Sequence, residues 1–559
     1  GLREQLLRVR PDWIQADCKG HPGYTSWPTE VGTTSPGVVR DALRIHRDVT
    51  AELGIKLGMH YSGVWDSRAL ELHPEWARLD AAGQPDHDMT CRLGGYDDGL
   101  MIPQMLEIIR KYDVDGFWVD GENWASKPCW CERCRAEYTR RTGETAIPSQ
   151  AGEPGWEAWL AFHRDLFVEH VAHYAEAVHA AKPGCLVCSN WMYTVRQPDP
   201  VSAPVDYLSG DFAWSWGADS AAVEGRVLDG RRRDAGLSWD LMAWGFTKTG
   251  TMQSDPPWVM KPAVHLCQEV SEVVALGGAV MIYNTPQRSG WLTSWHQDTL
   301  AEVAAFCRAR RDACFGTATA SQAAVLYLAA HHYAHNHPLF NYGEVVQPVE
   351  GALHALLETG RSTDVLTEEA ALAHLADYLL VVLPEQTRLS SEMTAALEAH
   401  ARAGGCVLLS GARLATECPG LVGVAPESEP ITGRVFLPVD DRAVPVSSGW
   451  QRVTPAADTE VWAYRMAQQE PGKDMTTDPA VTCRRVGAGA VIAVHGPLFR
   501  DYYLGHYPML RRFIAGLVER AALPWQVTLH APARLELVQR RRGAELVLNL
   551  INRGAAETL

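Results

Sequence analysis

The first 315 or so residues alternate short apolar runs with longer amphipathic stretches. Strands that alternate with helices form parallel sheets, because a parallel connection needs a long crossover. This rhythm predicts an α/β fold, and its length matches a (β/α)8 TIM barrel. The seven predicted strands are 13–18, 56–61, 115–120, 186–191, 207–211, 237–244 and 279–284.

A closed barrel of this class has eight strands. We therefore expect the first strand to lie upstream of Gly1, within a barrel domain that covers residues 1–318. Residues 319–525 predict a small doubly wound α/β domain. Its pattern comprises strands at 323–329, 378–383 and 406–409 and a helix at 390–403. Alternating residues over 526–559 predict the start of a C-terminal antiparallel β domain.

Composition limits the classes of partner. The net charge of −16 argues against nucleic acid, because phosphate binding needs a basic face, and against an anionic membrane surface. No apolar run is long enough to span a bilayer, and no signal peptide is visible. Thirteen scattered cysteines favour a reducing cytoplasm over a disulfide framework. Twenty tryptophans, most of them before residue 300, fit either core packing or walls that stack on sugar rings.

The predicted strand at 115–120 leads into two carboxylates, Asp120 and Glu122. Catalytic groups of β/α barrels sit at the carboxyl ends of the strands, and glycoside hydrolysis requires two carboxylates. Asp120 is interpreted as a functional group rather than a helix cap. Glu122 is either a second site residue or a solvated loop residue.

Other polar and aromatic residues recur at strand ends that should converge on one mouth. Glu224 lies past the sixth barrel strand and is either a general acid/base or a surface residue of its helix. The candidates for substrate binding are His21, Trp27, His60, Tyr61, Trp118, Trp191 and Asp211.

Cys129, Cys131 and Cys134 form a Cys-x-Cys-x-x-Cys run. A closed zinc site needs four ligands, and Cys91 is the best fourth candidate. Four thiolates leave no open position, so the pattern predicts a structural zinc site rather than a catalytic metal. The alternative is a cluster of free thiols. No cofactor is expected for catalysis.

Three segments resemble the α-L-fucosidases of glycoside hydrolase family 29. Lys19-Gly-His21-Pro-Gly-Tyr-Thr-Ser-Trp27-Pro-Thr resembles their Lys-His-His-Asp-Gly-Phe-x-x-Trp-Pro-Ser motif. The segment Gly54-Ile-Lys-Leu-Gly-Met-His-Tyr61-Ser resembles their Gly-Leu-Lys-Phe-Gly-x-Tyr-Tyr-Ser strand. Trp118-Val-Asp120-Gly resembles their Trp-Phe-Asp-Gly, whose Asp is the nucleophile.

The resemblance implies that Asp120 is the nucleophile and that His21, Trp27 and Tyr61 line a fucose pocket. Gly20 replaces the first His of the family's pair, so the missing sugar contact is absent or comes from elsewhere, with His60 as the candidate. The family's acid/base lies in a variable segment, which leaves Glu224 as a hypothesis.

The thiols and the second domain are similar to the family 42 β-galactosidases, which carry a trimerisation domain with a glutamine-amidotransferase-like fold. The whole combination, with His73-Pro-Glu-Trp76, resembles family 151 α-L-fucosidases. This resemblance implies a retaining, exo-acting α-L-fucosidase that forms a homo-oligomer, with a trimer as the family expectation. The alternatives are a family 42 β-galactosidase with Glu122 as acid/base, and a non-catalytic carbohydrate-binding barrel. The sixth visible strand offers Asp240 but no Glu as the galactosidase nucleophile.

Overall fold

The computed structural model describes residues 1–212, 217–248, 258–287, 289–336, 339–470 and 475–554. All seven strands predicted for the first part are present, close to their predicted bounds. In chain order they are β1 (Trp13–Lys19), β2 (Lys56–Ser62), β3 (Gly116–Asp120), β4 (Leu186–Ser189), β5 (Tyr207–Asp211), β6 (Ser238–Trp244) and β7 (Ala279–Tyr283).

The seven strands are parallel and follow one another in space. β1 to β4 form one ladder, and β5 to β7 form another. Two backbone hydrogen bonds join the ladders, from Asp206 N to Val187 O at 2.9 Å and from Trp191 N to Ser209 O at 3.1 Å. No strand pairing in the described ranges connects β7 back to β1, so a closed barrel is not observed. The upstream eighth strand stays a prediction.

Helices cover the outer face of these strands, and some have clear capping residues. In the helix Ala42–Leu53 the Asp41 side chain accepts a hydrogen bond from Arg44 N, and Gly54 ends the helix at φ 69°. The last helix packs against the first, so the helical layer continues past the strand opening. The helices are α1 (Leu2–Val9), α2 (Ala42–Leu53), α3 (Ser67–Leu72), α4 (Ile102–Tyr112), α5 (Glu132–Thr142), α6 (Trp156–Ala181), α7 (Gly217–Ala235), α8 (Ala263–Ala275) and α9 (Ser294–Cys314).

The second part contains one nine-stranded sheet. Its first five strands are parallel, with helices on both faces, which matches the predicted doubly wound pattern. Four antiparallel strands extend it, and the sequence did not predict these. In spatial order the strands are Thr363–Thr367, Ala323–Tyr327, Leu380–Pro384, Cys406–Ser410, Gly489–Val494, Met475–Val486, Thr459–Met466, Val435–Val439 and Arg442–Val446.

Helices of the second part pack against this sheet. The predicted helix at 390–403 is present as Ser391–Arg402. The helices are α10 (Ala329–His335), α11 (Gln347–Leu357), α12 (Glu368–His374), α13 (Ser391–Arg402), α14 (Leu414–Glu417), α15 (Pro419–Val422), α16 (Leu498–Gly505) and α17 (Pro508–Arg520).

The C-terminal segment forms an antiparallel pair, Leu535–Arg542 with Glu545–Asn552. Buried ion pairs tie this pair to the barrel helix α7. They are Arg226–Glu536, Arg540–Asp229 and Arg553–Asp219. The predicted start of a β domain is therefore packed on the barrel. Among the described residues, we find no helix with the length and apolarity needed to cross a membrane.

Candidate active site

Asp120 occupies the last position of β3, where a buried strand reaches the carboxyl edge of the strand layer. Trp124 Nε1 donates to Asp120 Oδ1 at 2.8 Å, and Asn190 Nδ2 donates to the same oxygen at 3.0 Å. The Nε2 atoms of His21 and His60 both lie 3.6 Å from Oδ2. Both carboxylate oxygens are thus surrounded by donors.

These neighbours decide the ionisation of the carboxyl. Burial alone would raise the pKa of Asp120, but hydrogen bonds and charge from His60, with hydrogen bonds from Trp124 and Asn190, hold that pKa well below its usual range. Burial lowers the pKa of His60, yet Asp120 and Asp17 outweigh it and raise that pKa to about 9. At neutral pH an imidazolium therefore faces an ionised Asp120.

His21 is held in place from two sides. Its Nδ1 lies 2.7 Å from Ser62 Oγ, and its ring stacks on Trp65 with the ring centroids 5.1 Å apart. Gly121, at φ 62°, makes room for the ring, because a Cβ there would sit 2.9 Å from His21 Nδ1. The Asp-Gly pair of the sequence is therefore a steric requirement of this contact.

A second carboxyl interacts with Asp120 through charge. Asp211 ends β5, where it is paired in register with Met242 of β6. Burial and the Asp120 charge raise the pKa of Asp211 to about 7, against the lowering effect of Asn190 and Arg196. The two carboxyls thus have pKa values pushed apart, which is the pattern of an acid and a nucleophile.

Glu122 takes a different direction from Asp120. It is fully buried, and His170 Nε2, Tyr174 and Ser189 contact its oxygens at 2.8, 3.0 and 2.7 Å. His170 in turn lies 2.7 Å from Asp97. The turn at Gly121 sends the side chain into the protein, so the expected position on the same side as Asp120 is not observed.

Glu224 lies within α7 and is also fully buried. Burial raises the pKa of Glu224 well above its usual range, although the nearby Arg196 offsets part of this effect. The charges of Glu350 and Asp211 add to this rise in the Glu224 pKa.

The remaining predicted residues divide into two groups. Trp118 and Trp191 lie near the strand ends, where the Trp118 ring is 5.4 Å from that of His60. Trp27 and Tyr61 are fully buried in the barrel core, and the Tyr61 hydroxyl donates to Gln104 at 2.7 Å. Buried rings offer no face to a sugar, so the stacking roles of these two residues gain no support.

Sequence reasoning missed Trp65, Trp124 and Asn190. Trp124 follows Asp120 by four residues, and Asn190 is the last residue but one of the predicted strand 186–191, so both positions carried a usable signal. The segment with Asn190 is held by the second part of the chain. Tyr327 donates to Val195 O, and Tyr333 donates to Asp199, each at 2.6 Å.

The four predicted thiols meet in one buried cluster. Their sulfur atoms all lie within 4.8 Å of one another, with Cys91 Sγ 3.6 Å from Cys131 Sγ and 3.5 Å from Cys134 Sγ. Zinc–sulfur bonds of about 2.3 Å in a tetrahedron place the sulfurs roughly 3.8 Å apart. The cluster therefore fits a metal ion. Because Cys129 follows the loop that carries Trp124, the cluster also anchors the end of that loop.

Comparisons with known proteins agree with this architecture. No family model matches the chain, and no curated protein sequence matches it. Solved structures do match. The α-L-fucosidase isoenzyme 2 of Paenibacillus thiaminolyticus superposes with a TM-score of 0.79 at 20% identity, covering 97% of this chain and 83% of the fucosidase.

Two β-galactosidases are also similar. The cold-adapted enzyme of Rahnella sp. R3 gives a TM-score of 0.74 at 16% identity, covering 99% of this chain and 90% of the other. The enzyme of Bacillus circulans sp. alkalophilus gives a TM-score of 0.73 at 16% identity, covering 98% of this chain and 90% of the other. At these identities the likeness concerns the backbone, and the chain shares the fold of these glycoside hydrolase structures.

Proposed function

We propose that this protein is a retaining, exo-acting glycoside hydrolase of the α-L-fucosidase type, with Asp120 as its nucleophile. The observation that carries the proposal is the ionised, partly exposed Asp120 between two histidines and two amide or indole donors. The fucosidase-like motifs around His21 and Asp120, together with the shared fold, support the sugar class.

In this mechanism Asp120 attacks the anomeric carbon as the glycosidic bond breaks, and a glycosyl-enzyme ester forms. A protonated carboxyl gives its proton to the leaving oxygen. The same group, now a carboxylate, then takes a proton from the water that cleaves the ester. In this proposal the cationic His60 and the stacked His21 orient Asp120 and contact sugar hydroxyls, with the partly exposed Trp65 beside them.

Asp211 is our candidate for the acid/base. It ends the strand β5 and interacts with the charge of Asp120, and its raised pKa keeps it protonated below about pH 7. Glu224 and Glu122 are the other candidates, but both are fully buried, and the oxygens of Glu122 are already engaged by His170, Tyr174 and Ser189.

The β-galactosidase alternative needs Glu122 as acid/base and a glutamate nucleophile on β6. Burial of Glu122 argues against the first requirement, and β6 offers Asp240 instead of a glutamate. The non-catalytic alternative leaves the paired low and high carboxyl pKa values of Asp120 and Asp211 without a purpose.

We also propose that Cys91, Cys129, Cys131 and Cys134 hold a structural zinc ion. The ion would leave no position open for substrate and would supply rigidity to the loop after Asp120. We further propose a homo-oligomer on the ground of the second domain, with a trimer as the family expectation. A cytoplasmic location is a separate proposal that rests on the scattered cysteines.

The first prediction concerns substrate and nucleophile. Hydrolysis of aryl α-L-fucoside and aryl β-D-galactoside is measured with wild type and Asp120→Ala. We expect cleavage of the fucoside and a loss of roughly 10³-fold or more in kcat/KM in the variant, because the covalent route is removed. Cleavage of the galactoside alone would favour the β-galactosidase alternative. A folded protein that binds fucose without cleaving any glycoside would favour the non-catalytic alternative.

The second prediction concerns the acid/base. A general acid must be protonated, so kcat/KM should fall as the pH rises above about 7, the pKa of Asp211. Asp211→Asn should abolish this fall in kcat/KM at high pH. It should also reduce the cleavage of substrates with a poor leaving group by about 10²- to 10⁴-fold. Azide should restore turnover and give a fucosyl azide of retained configuration, since an anion needs no base. Glu224→Gln is the matched control. If it shows these effects instead, the role belongs to Glu224.

The third prediction concerns the thiols. Purified protein should carry about one zinc per chain, and Cys134→Ser should lose the metal and unfold at a lower temperature. Cys307→Ser, at a half-buried cysteine of α9 outside the cluster, should keep both the metal and the melting temperature. Metal analysis near zero for wild type would refute the zinc site.

A further inference from the structure

A group of aromatic side chains stands at the carboxyl ends of β6 and β7, beyond the carboxyl pair. Trp244 ends β6, Tyr283 ends β7, and the two residues are paired in register. A short antiparallel ribbon follows β6, in which Phe246–Lys248 pairs with Trp258–Met260. We call Trp244, Phe246, Trp258 and Tyr283 the aromatic platform.

The rings of the platform form a continuous surface. The Trp258 ring lies nearly parallel to that of Trp244, with the centroids 6.1 Å apart and an angle of 22°. Phe246 contacts both Trp258 and Tyr283, each with a centroid separation of 5.3 Å. Trp258 and Tyr283 nevertheless expose 45% and 43% of their surface. Large aromatic rings left this exposed together mark a binding surface.

The ribbon is anchored at its base, where it leaves β6. Gly245 N donates to Tyr283 O at 2.9 Å, and a Cβ at Gly245 would lie 2.6 Å from that oxygen, so glycine allows this close approach. On the facing strand, Lys261 N donates to Gly245 O, and the buried Lys261 ammonium pairs with Glu269 at 2.8 Å. A preorganised surface loses little entropy when a ligand binds.

The position of the platform identifies its ligand. On β6, Trp244 lies two residues beyond Met242, which is paired in register with Asp211, the proposed acid/base. A general acid protonates the oxygen of the leaving group, so the leaving group lies on the side of Asp211. The surface that continues from Asp211 through Trp244 to Trp258 and Tyr283 is therefore where the leaving group extends.

We propose that the aromatic platform is the subsite for the leaving-group sugar, and that the substrates are fucosylated oligosaccharides whose second ring stacks on Trp258 and Tyr283. The inference rests on the proposed glycosidase function and deepens it. The apolar C–H face of a pyranose suits aromatic rings with one wet edge.

The test compares substrates with and without a second sugar ring. Wild type and Trp258→Ala are assayed on α-L-fucosyl fluoride and on 2-O-α-L-fucosyl-galactose. We expect the variant to lose about 10-fold in kcat/KM on the disaccharide, mainly through KM, because a stacking contact is removed. Hydrolysis of the fluoride should stay within about twofold of wild type. Phe315→Ala, at an exposed aromatic residue that follows α9, is the control and should change neither rate.

Each other outcome has one meaning. Equal losses on both substrates, or no loss on the disaccharide, would overturn the platform as a sugar subsite. A change in molar mass of Trp258→Ala by light scattering would assign the face to contacts between copies of the chain and would also overturn it. If wild type cleaves neither substrate, the proposed function fails first, and the subsite falls with it.

Discussion

A carboxylate buried at the end of a strand stays ionised only if the protein replaces the water that it has lost. In this chain four neighbours do so for Asp120. His60 supplies a positive charge and Trp124 and Asn190 supply hydrogen bonds, while His21 lies 3.6 Å away. These residues come from four separate segments that meet only because parallel strands end at one edge. The rest of the architecture serves to hold these segments at fixed positions.

Two of the segments are supported from outside the strand layer. The loop with Trp124 runs into the buried thiol cluster, where Cys129, Cys131 and Cys134 meet Cys91. The loop with Asn190 continues to Val195, whose carbonyl accepts a hydrogen bond from Tyr327 of the second part. The second part is therefore a scaffold for one wall of the candidate site. Loss of either support would act on the orientation of donors to Asp120.

The sequence patterns predicted the features that local periodicity and spacing determine. Apolar runs located all seven strands, and Asp120 stood out as a charge at a buried strand end. The Cys-x-Cys-x-x-Cys spacing, with Cys91 added as the fourth ligand, identified the thiol cluster. Side-chain direction was harder. Trp27 and Tyr61 face the core, and the turn at Gly121 points Glu122 away from Asp120. The contribution of Asn190 depends on how neighbouring strands are placed, which periodicity within a single strand does not encode.

As the proposed nucleophile, Asp120 must form a covalent bond with the sugar. This bond can be trapped by incubation with 2-deoxy-2-fluoro-α-L-fucosyl fluoride, followed by mass spectrometry of the intact protein and its peptides. We expect a mass increase of one fluorosugar, located on the peptide with Asp120 and absent in Asp120→Ala. Labelling of a different carboxylate, or steady hydrolysis with no adduct and inverted product configuration, would contradict it.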